Sequence, residues 1–163
     1  MTISTKNLCL SAVFTAMIFA VTRFIQIPIP LGYFNIGNTV ILLACVLMPS
    51  PYGIIAGSLG SALADLTSYP VYTLPTAIIK LIFPLLFYII IKTEIKGKTP
   101  YIIAAAVSTL IPLFGYTITG GILYGGFYAG LAQFPGLFVE YIANLVLFVI
   151  LYKPAMQATA RLN

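Results

Sequence analysis

Apolar residues run along this chain in six long stretches, and polar or helix-breaking residues fall between them. The stretches are residues 6–25, 36–48, 52–68, 76–91, 101–119 and 135–152. A helix of about 20 residues crosses the hydrocarbon core of a bilayer, so each stretch is read as a transmembrane helix, with 36–48 the shortest. Prolines mark the joints. Pro28, Pro30, Pro49, Pro51, Pro70, Pro75, Pro100 and Pro135 lie at or near stretch ends, where a lost N–H costs least. Pro84 and Pro112 fall inside the fourth and fifth stretches and predict kinks. The expected fold class is all-α: one integral membrane domain over residues 1–163, a bundle of six transmembrane helices.

Composition supports this pattern. Hydrophobic residues make up 61% of the chain and charged residues 7%, against about 25% charged in soluble domains. A soluble fold would have no polar surface to spare for so much apolar area. The first 20 residues have the outline of a signal peptide, but the rest of the chain is equally apolar, so they read as the first span. There is no histidine, which excludes His-based triads and HExxH metal sites. Cys9 and Cys45 lie in apolar stretches without metal-like spacing and read as packing residues. The net charge of +5 sits at stretch ends, which speaks for membrane orientation and against nucleic-acid binding. Lys6, the connection carrying Lys92, Lys96 and Lys98, and the tail carrying Lys153 and Arg161 all fall on one side of a six-span bundle. The positive-inside rule makes that side cytoplasmic, with both termini on it. The connections 26–35, 69–75 and 120–134 then face outward, uncharged and rich in Tyr, Gly and Pro.

Four ionisable residues lie within the spans: Arg23, Asp65, Lys80 and Glu140. Charges inside a membrane are costly and usually functional. All four fall within roughly 10 Å of the outer boundary, so they are expected to meet in one layer of zero net charge. The structural alternatives are an Asp65–Lys80 pair clamping the third and fourth spans, and Arg23 snorkelling to the headgroups. Glu140 has Asn144 one turn below on the same face, and the two are read as ligand-binding candidates. Around this layer stand Tyr33, Phe34, Tyr69, Tyr72, Tyr116, Tyr124, Phe127 and Tyr128. They form an interfacial belt or, given the glycines interleaved over 116–134, a flexible lid over a flat aromatic ligand. Small residues recur at helical spacing: Ala12, Ala16 and Ala20 in the first span, and Gly53, Gly57 and Ser61 with Ala56, Gly60 and Ala64 in the third. Such stripes let backbones approach closely. The third-span stripe reads as internal packing; the first-span stripe reads equally as packing or as a docking face. No P-loop is present, so any ATP dependence belongs to another subunit.

Three runs carry a family resemblance: YFNIGNTVI from Tyr33, GIIAGSLGSALADL from Gly53, and YPVYTLPTAIIK from Tyr69. They resemble the substrate-binding S components of energy-coupling factor (ECF) vitamin transporters, nearest the group for riboflavin, hydroxymethylpyrimidine or pyridoxine-type substrates. The clear match covers residues 30–83. The resemblance implies a six-helix, multi-pass protein of the cell membrane with both termini cytoplasmic. It implies a vitamin bound near the outer face under a lid from the loop after the first span. The partners it implies are a transmembrane coupling subunit, the T component, and two ATPase subunits that hydrolyse ATP, with no cofactor or metal on this chain. The family's AxxxA docking motif maps onto Ala12, Ala16 and Ala20. Family ligand contacts come from the loop after the first span, the fourth span, the loop after the fifth and the sixth span. Asn35, Lys80, Tyr128 and Glu140 fit those places, and Asn38, Tyr72 and Asn144 complete the candidate substrate-binding set.

The chain departs from the family pattern in three places. Asn38 stands where Asp is more usual, Ser68 replaces a Gly before Tyr69, and Met48-Pro-Ser-Pro replaces a Leu-Gly-Pro turn. The first two lie near the expected pocket and leave the substrate open. A carboxylate at Glu140 suits an amine-bearing ring, so hydroxymethylpyrimidine or a pyridoxine-type compound leads, with a riboflavin-type S component as the alternative. A stand-alone secondary carrier for a small vitamin-like solute is the rival from another class. A membrane-embedded enzyme lacks a nucleophile–base motif.

Overall fold

The long apolar stretches fold as helices whose ends are set by proline, glycine and the few polar residues. The computed structural model describes residues 4–92 and 99–162, with Thr99 and residues 158–162 described by backbone alone. Lys96, Lys98 and the Arg161 side chain therefore lie outside the described residues. Helix α1 is Thr5–Phe24, α2 Gly37–Leu47, α3 Tyr52–Ser68, α4 Thr73–Ile91, α5 Thr99–Ser108, α6 Leu110–Leu123 and α7 Phe127–Leu162, with a 3-10 turn at Pro70–Tyr72 before α4. Four helical segments are long and apolar enough to cross a membrane: Thr5–Phe24, Pro70–Ile91, Pro100–Leu123 and Phe127–Gln157. With 11 residues, α2 reaches only about 16 Å.

The fifth stretch is interrupted near the proline that predicts a kink. Pro112 has no N–H for the Ser108 carbonyl, and α5 gives way to α6 at Thr109, whose hydroxyl turns back to the Ala105 carbonyl at 2.5 Å. Pro84 stays within the unbroken helix α4.

Two expectations need correction. The connection after the first span is not loop alone. Strands β1 (Ile27–Ile29) and β2 (Gly32–Phe34) pair antiparallel, with Ile27 opposite Phe34 and Ile29 opposite Gly32. Pro30 takes the first central position of the turn, where its fixed φ fits, and Leu31 takes the second with φ 60°. Strands of three residues are too short for an alternating pattern to show. Second, residues 120–134 are not an open lid. The α6 helix runs to Leu123 and α7 starts at Phe127, so Pro135 lies inside α7 and not at its start. The glycines here serve close packing. A Cβ on Gly120 would lie 1.8 Å from Gln133 Nε2, and one on Gly130 would lie 2.2 Å from the Thr117 carbonyl. Only Gly125 (φ +88°) and Gly126 (φ +135°) use glycine's freedom to turn the chain.

Helices α1 and α3 run side by side, tied at one end by Ser11 Oγ donating to the Tyr52 carbonyl (3.1 Å) and at the other by Gln26 Nε2 donating to Ser68 Oγ (3.2 Å). Gly60 lets them touch: a Cβ there would meet the Thr15 carbonyl at 2.7 Å. The third-span stripe thus packs inward. The apolar core of Ile18, Ile41, Leu42, Phe83, Phe87 and Phe148 fills the half of the bundle nearer the termini. The other half, under the hairpin, holds the buried polar residues.

Candidate functional site

Asp65, Lys80 and Glu140 are 4%, 3% and 4% exposed. Charges this buried need partners, and each has them. Asp65, at the hairpin end of α3, accepts hydrogen bonds from the hydroxyls of Tyr33 on β2 and Thr76 on α4. The Tyr116 hydroxyl of α6 lies 3.0 Å from Thr76 Oγ1. Burial first, and the Asp65 carboxylate second, push the Tyr33 hydroxyl well above the ordinary phenol range, so Tyr33 acts as donor. Lys80 donates to Asn38 Oδ1, and Asn38 Nδ2 donates to Glu140 Oε1 at 3.0 Å. The expected Asp65–Lys80 clamp is therefore replaced by two relays, Tyr33/Thr76 to Asp65 and Lys80 through Asn38 to Glu140.

Asn144 is fully buried and occupied on both sides of its amide. Its Oδ1 accepts from the Thr39 N–H (2.8 Å), and its Nδ2 donates to the carbonyls of Asn35 and Glu140, each at 2.9 Å. It pins the start of α2 to α7 and so fixes Asn38 beside Glu140. Asn35 turns its Oδ1 onto the Gly37 N–H at 2.7 Å, starting α2 at that point.

Asn35, Asp65, Lys80 and Glu140 line a narrow cavity of about 40 Å³ beneath the hairpin. Tyr33, Tyr69, Tyr72 and Tyr116 supply its aromatic wall, with Tyr33 and Tyr69 centroids 5.3 Å apart and Tyr72 edge-on to Tyr116 at 6.1 Å. Gln133 donates to the Tyr72 hydroxyl at 3.1 Å, and the Lys80 ammonium lies 5.3 Å from the Tyr116 ring centre. The hairpin closes one side, with Ile29 seated on α7 at Gly136.

Of the residues expected from sequence, Asn35, Tyr72, Lys80 and Glu140 line the cavity. Asn38 stands behind them between Lys80 and Glu140, and Asn144 serves as the pin beneath. Tyr128 does not join them. It is 85% exposed because α7 begins at Phe127 and turns this side chain outward against Phe127. Arg23 also stays away, its guanidinium 5.9 Å from the Phe24 ring centre. Three ionisable residues meet, not four, and their formal sum is −1 rather than zero. Sequence reading missed Thr22, Ser61, Thr76 and Gln133 in the lining. Gln133 carried a signal, as the only side chain between residues 129 and 139 with strong hydrogen-bonding groups. The three hydroxyls carried none, because Ser and Thr are common in transmembrane helices.

Ala12 and Ala16 are exposed, and Ala20 is half-buried. Ala12 and Ala16 line an open apolar groove with Ile55, Leu59 and Leu63 of α3.

Comparison with known proteins agrees with this architecture. The family described as "ECF-type riboflavin transporter, S component" matches residues 2–157. A Pyrococcus woesei protein described as an uncharacterized protein in the gap 3′ region is 32% identical over 131 residues, covering 77% of this chain and 85% of that protein. A solved structure described as "Structure and mechanism of the S component of a bacterial ECF transporter" superposes with a TM-score of 0.70 at 24% identity, over 91% of this chain and 94% of that one. With a matching family over nearly the whole chain and the same fold in a solved structure, the chain belongs to the ECF-type riboflavin transporter S component family.

Proposed function

We propose that this chain captures a flat, nitrogen-containing vitamin or vitamin precursor in the cavity under the hairpin and delivers it inward as the substrate-binding subunit of an ATP-driven importer. The observation that carries this is the lining: four tyrosine rings around one ammonium and two carboxylates. Rings supply stacking area and the few polar groups fix orientation. Lys80 has three N–H donors and gives one to Asn38, which leaves donors for a ring nitrogen or carbonyl. Glu140 suits an exocyclic amine. Hydroxymethylpyrimidine or a pyridoxine-type compound satisfies both. Riboflavin is the second reading, favoured by the family description. Both termini lie on the cytoplasmic side of the cell membrane in this reading, since Lys6, Lys92 and Lys153 all belong to the end of the bundle opposite the hairpin.

The partners proposed are a T component, docked on the groove at Ala12 and Ala16, and two ATPase subunits that bind and hydrolyse the ATP. Native mass spectrometry of the purified chain should reveal a co-purified ring compound, and one of hydroxymethylpyrimidine, pyridoxine or riboflavin should raise its melting temperature. Absence of both removes the capture reading. Transport by a complex with inactivated ATPases refutes the coupling, and uptake by this chain alone under an ion gradient establishes a stand-alone carrier instead.

A further inference from the structure

A second opening lies at the end of the bundle opposite the hairpin, and the shortness of α2 creates it. Asn38 of α2 is bonded to Lys80 of α4, and Gly37 of α2 packs against Thr22 of α1. Counted from those contacts, α2 ends at Leu47 while its neighbours continue. By axial rise, Lys92 of α4 lies about 5 Å beyond Leu47 and Lys6 of α1 about 9 Å beyond it. Under the end of α2 is an open recess of about 590 Å³, far larger than the cavity under the hairpin. Leu10, Val46, Leu47 and Ile91 give it an apolar lining, and Lys6 and Lys92 line it as well. Among the described residues no carboxylate does.

The walls of the recess are fixed by the packed structure. The Ser4 N–H donates to the Tyr52 hydroxyl and Ser11 Oγ to the Tyr52 carbonyl, each at 3.1 Å, which holds this end of α1 on α3. The Tyr88 hydroxyl donates to the Met48 carbonyl at 2.7 Å and so ties the end of α2 to α4.

Three kinds of molecule could fill such a space, and the lining separates them. A small soluble anion meets the lysines but leaves the apolar lining in water, which is unfavourable. A zwitterionic lipid covers the apolar lining but brings its own cation to the two ammonium groups. A lipid with a negative headgroup answers both, and basic recesses between membrane helices are suited to such headgroups. The wider charge agrees: six of the chain's eight basic residues, and one of its three acidic ones, fall in residues 1–10, 88–101 and 150–163, the segments joined to this end.

We infer that this recess binds one anionic phospholipid from the adjoining leaflet, with its phosphate at Lys6 and Lys92 and an acyl chain along Leu10, Val46, Leu47 and Ile91. That leaflet is the cytoplasmic one in the orientation proposed above. The inference does not depend on what the hairpin cavity captures.

The test is native mass spectrometry of the full chain released from mixed micelles holding equal amounts of phosphatidylglycerol and phosphatidylcholine. One lipid should be retained, with phosphatidylglycerol preferred about twentyfold, since each lysine near a phosphate contributes about fivefold. Lys92→Gln should lower the preference about fivefold, and Lys6→Gln/Lys92→Gln should bring it to within about twofold. Both lysines are exposed, so these changes leave the core intact. Lys153→Gln removes the same charge at the same end but from outside the described lining, and should keep the preference. Val46→Phe narrows the recess and should reduce retention of both lipids. Four results overturn the site: no retained lipid, equal retention of the two lipids, equal loss of preference in Lys92→Gln and Lys153→Gln, or displacement of phosphatidylglycerol by millimolar glycerol phosphate, which would make the site one for a soluble anion. Loss of coupling-subunit co-purification in the double lysine variant with lipid retention unchanged also overturns it, in favour of a protein contact.

Discussion

Lys80 and Glu140 never touch, yet the relay through Asn38 makes them one unit, and this has a measurable consequence. Two hydrogen bonds through one amide hold the charges roughly 6 Å apart, and at an effective dielectric of about 20 Coulomb's law gives about 3 kcal/mol of attraction. Lys80→Met removes the only cation of the cluster and leaves Asp65 and Glu140 buried together. Breaking a buried pair in this way should cost about 3–5 kcal/mol. Glu140→Gln keeps an acceptor for Asn38 and removes one charge, so it should cost less. The double variant should then be more stable than the sum of the two changes allows, by about 2–3 kcal/mol. Reversible unfolding in mixed micelles, followed by circular dichroism, measures all four corners of the cycle. Additivity within about 0.5 kcal/mol would show that the Asn38 bridge carries no coupling, and the relay would reduce to neighbouring but independent polar groups.

Four further outcomes follow from named contacts. Gly60→Ala should destabilise the fold by about 1–3 kcal/mol, because its Cβ would meet the rigid Thr15 carbonyl at 2.7 Å; a melting temperature equal to wild type would refute the tight α1–α3 contact. Tyr33→Phe removes the hairpin's bond to Asp65 and should speed ligand release several-fold in stopped-flow measurements; an unchanged rate would mean that the hairpin is held by its other contacts. Ala16→Leu should prevent co-purification with the coupling subunit while leaving ligand affinity intact, and normal assembly would move the docking face elsewhere. Tyr128→Ala should leave affinity unchanged, since the side chain is 85% exposed; a large loss would bring it back into the site.

The hydrophobic pattern alone determined the membrane bundle, the approximate ends of its first four helices and an interruption near Pro112, because a long apolar run has one stable home and proline removes a specific donor. It also singled out Asp65, Lys80 and Glu140, because charge in an apolar span demands a reason, but it singled out Arg23 on the same ground. Tertiary structure decided which groups answer each charge. Asp65 and Thr76 are 11 residues apart and meet only because α3 and α4 are antiparallel, and no local spacing encodes that Asn38 bridges Lys80 to Glu140. The glycines of residues 120–134 were the least legible. A glycine that permits a turn and one that permits a close helix contact look the same in sequence, and only the approach of Gln133 and the Thr117 carbonyl shows which role each plays. The unpaired hydroxyls of Thr22 and Ser61 are of the same kind. Whether a helical hydroxyl turns back to its own backbone or is left buried without a partner depends on the neighbouring helix, which the linear order of residues does not contain.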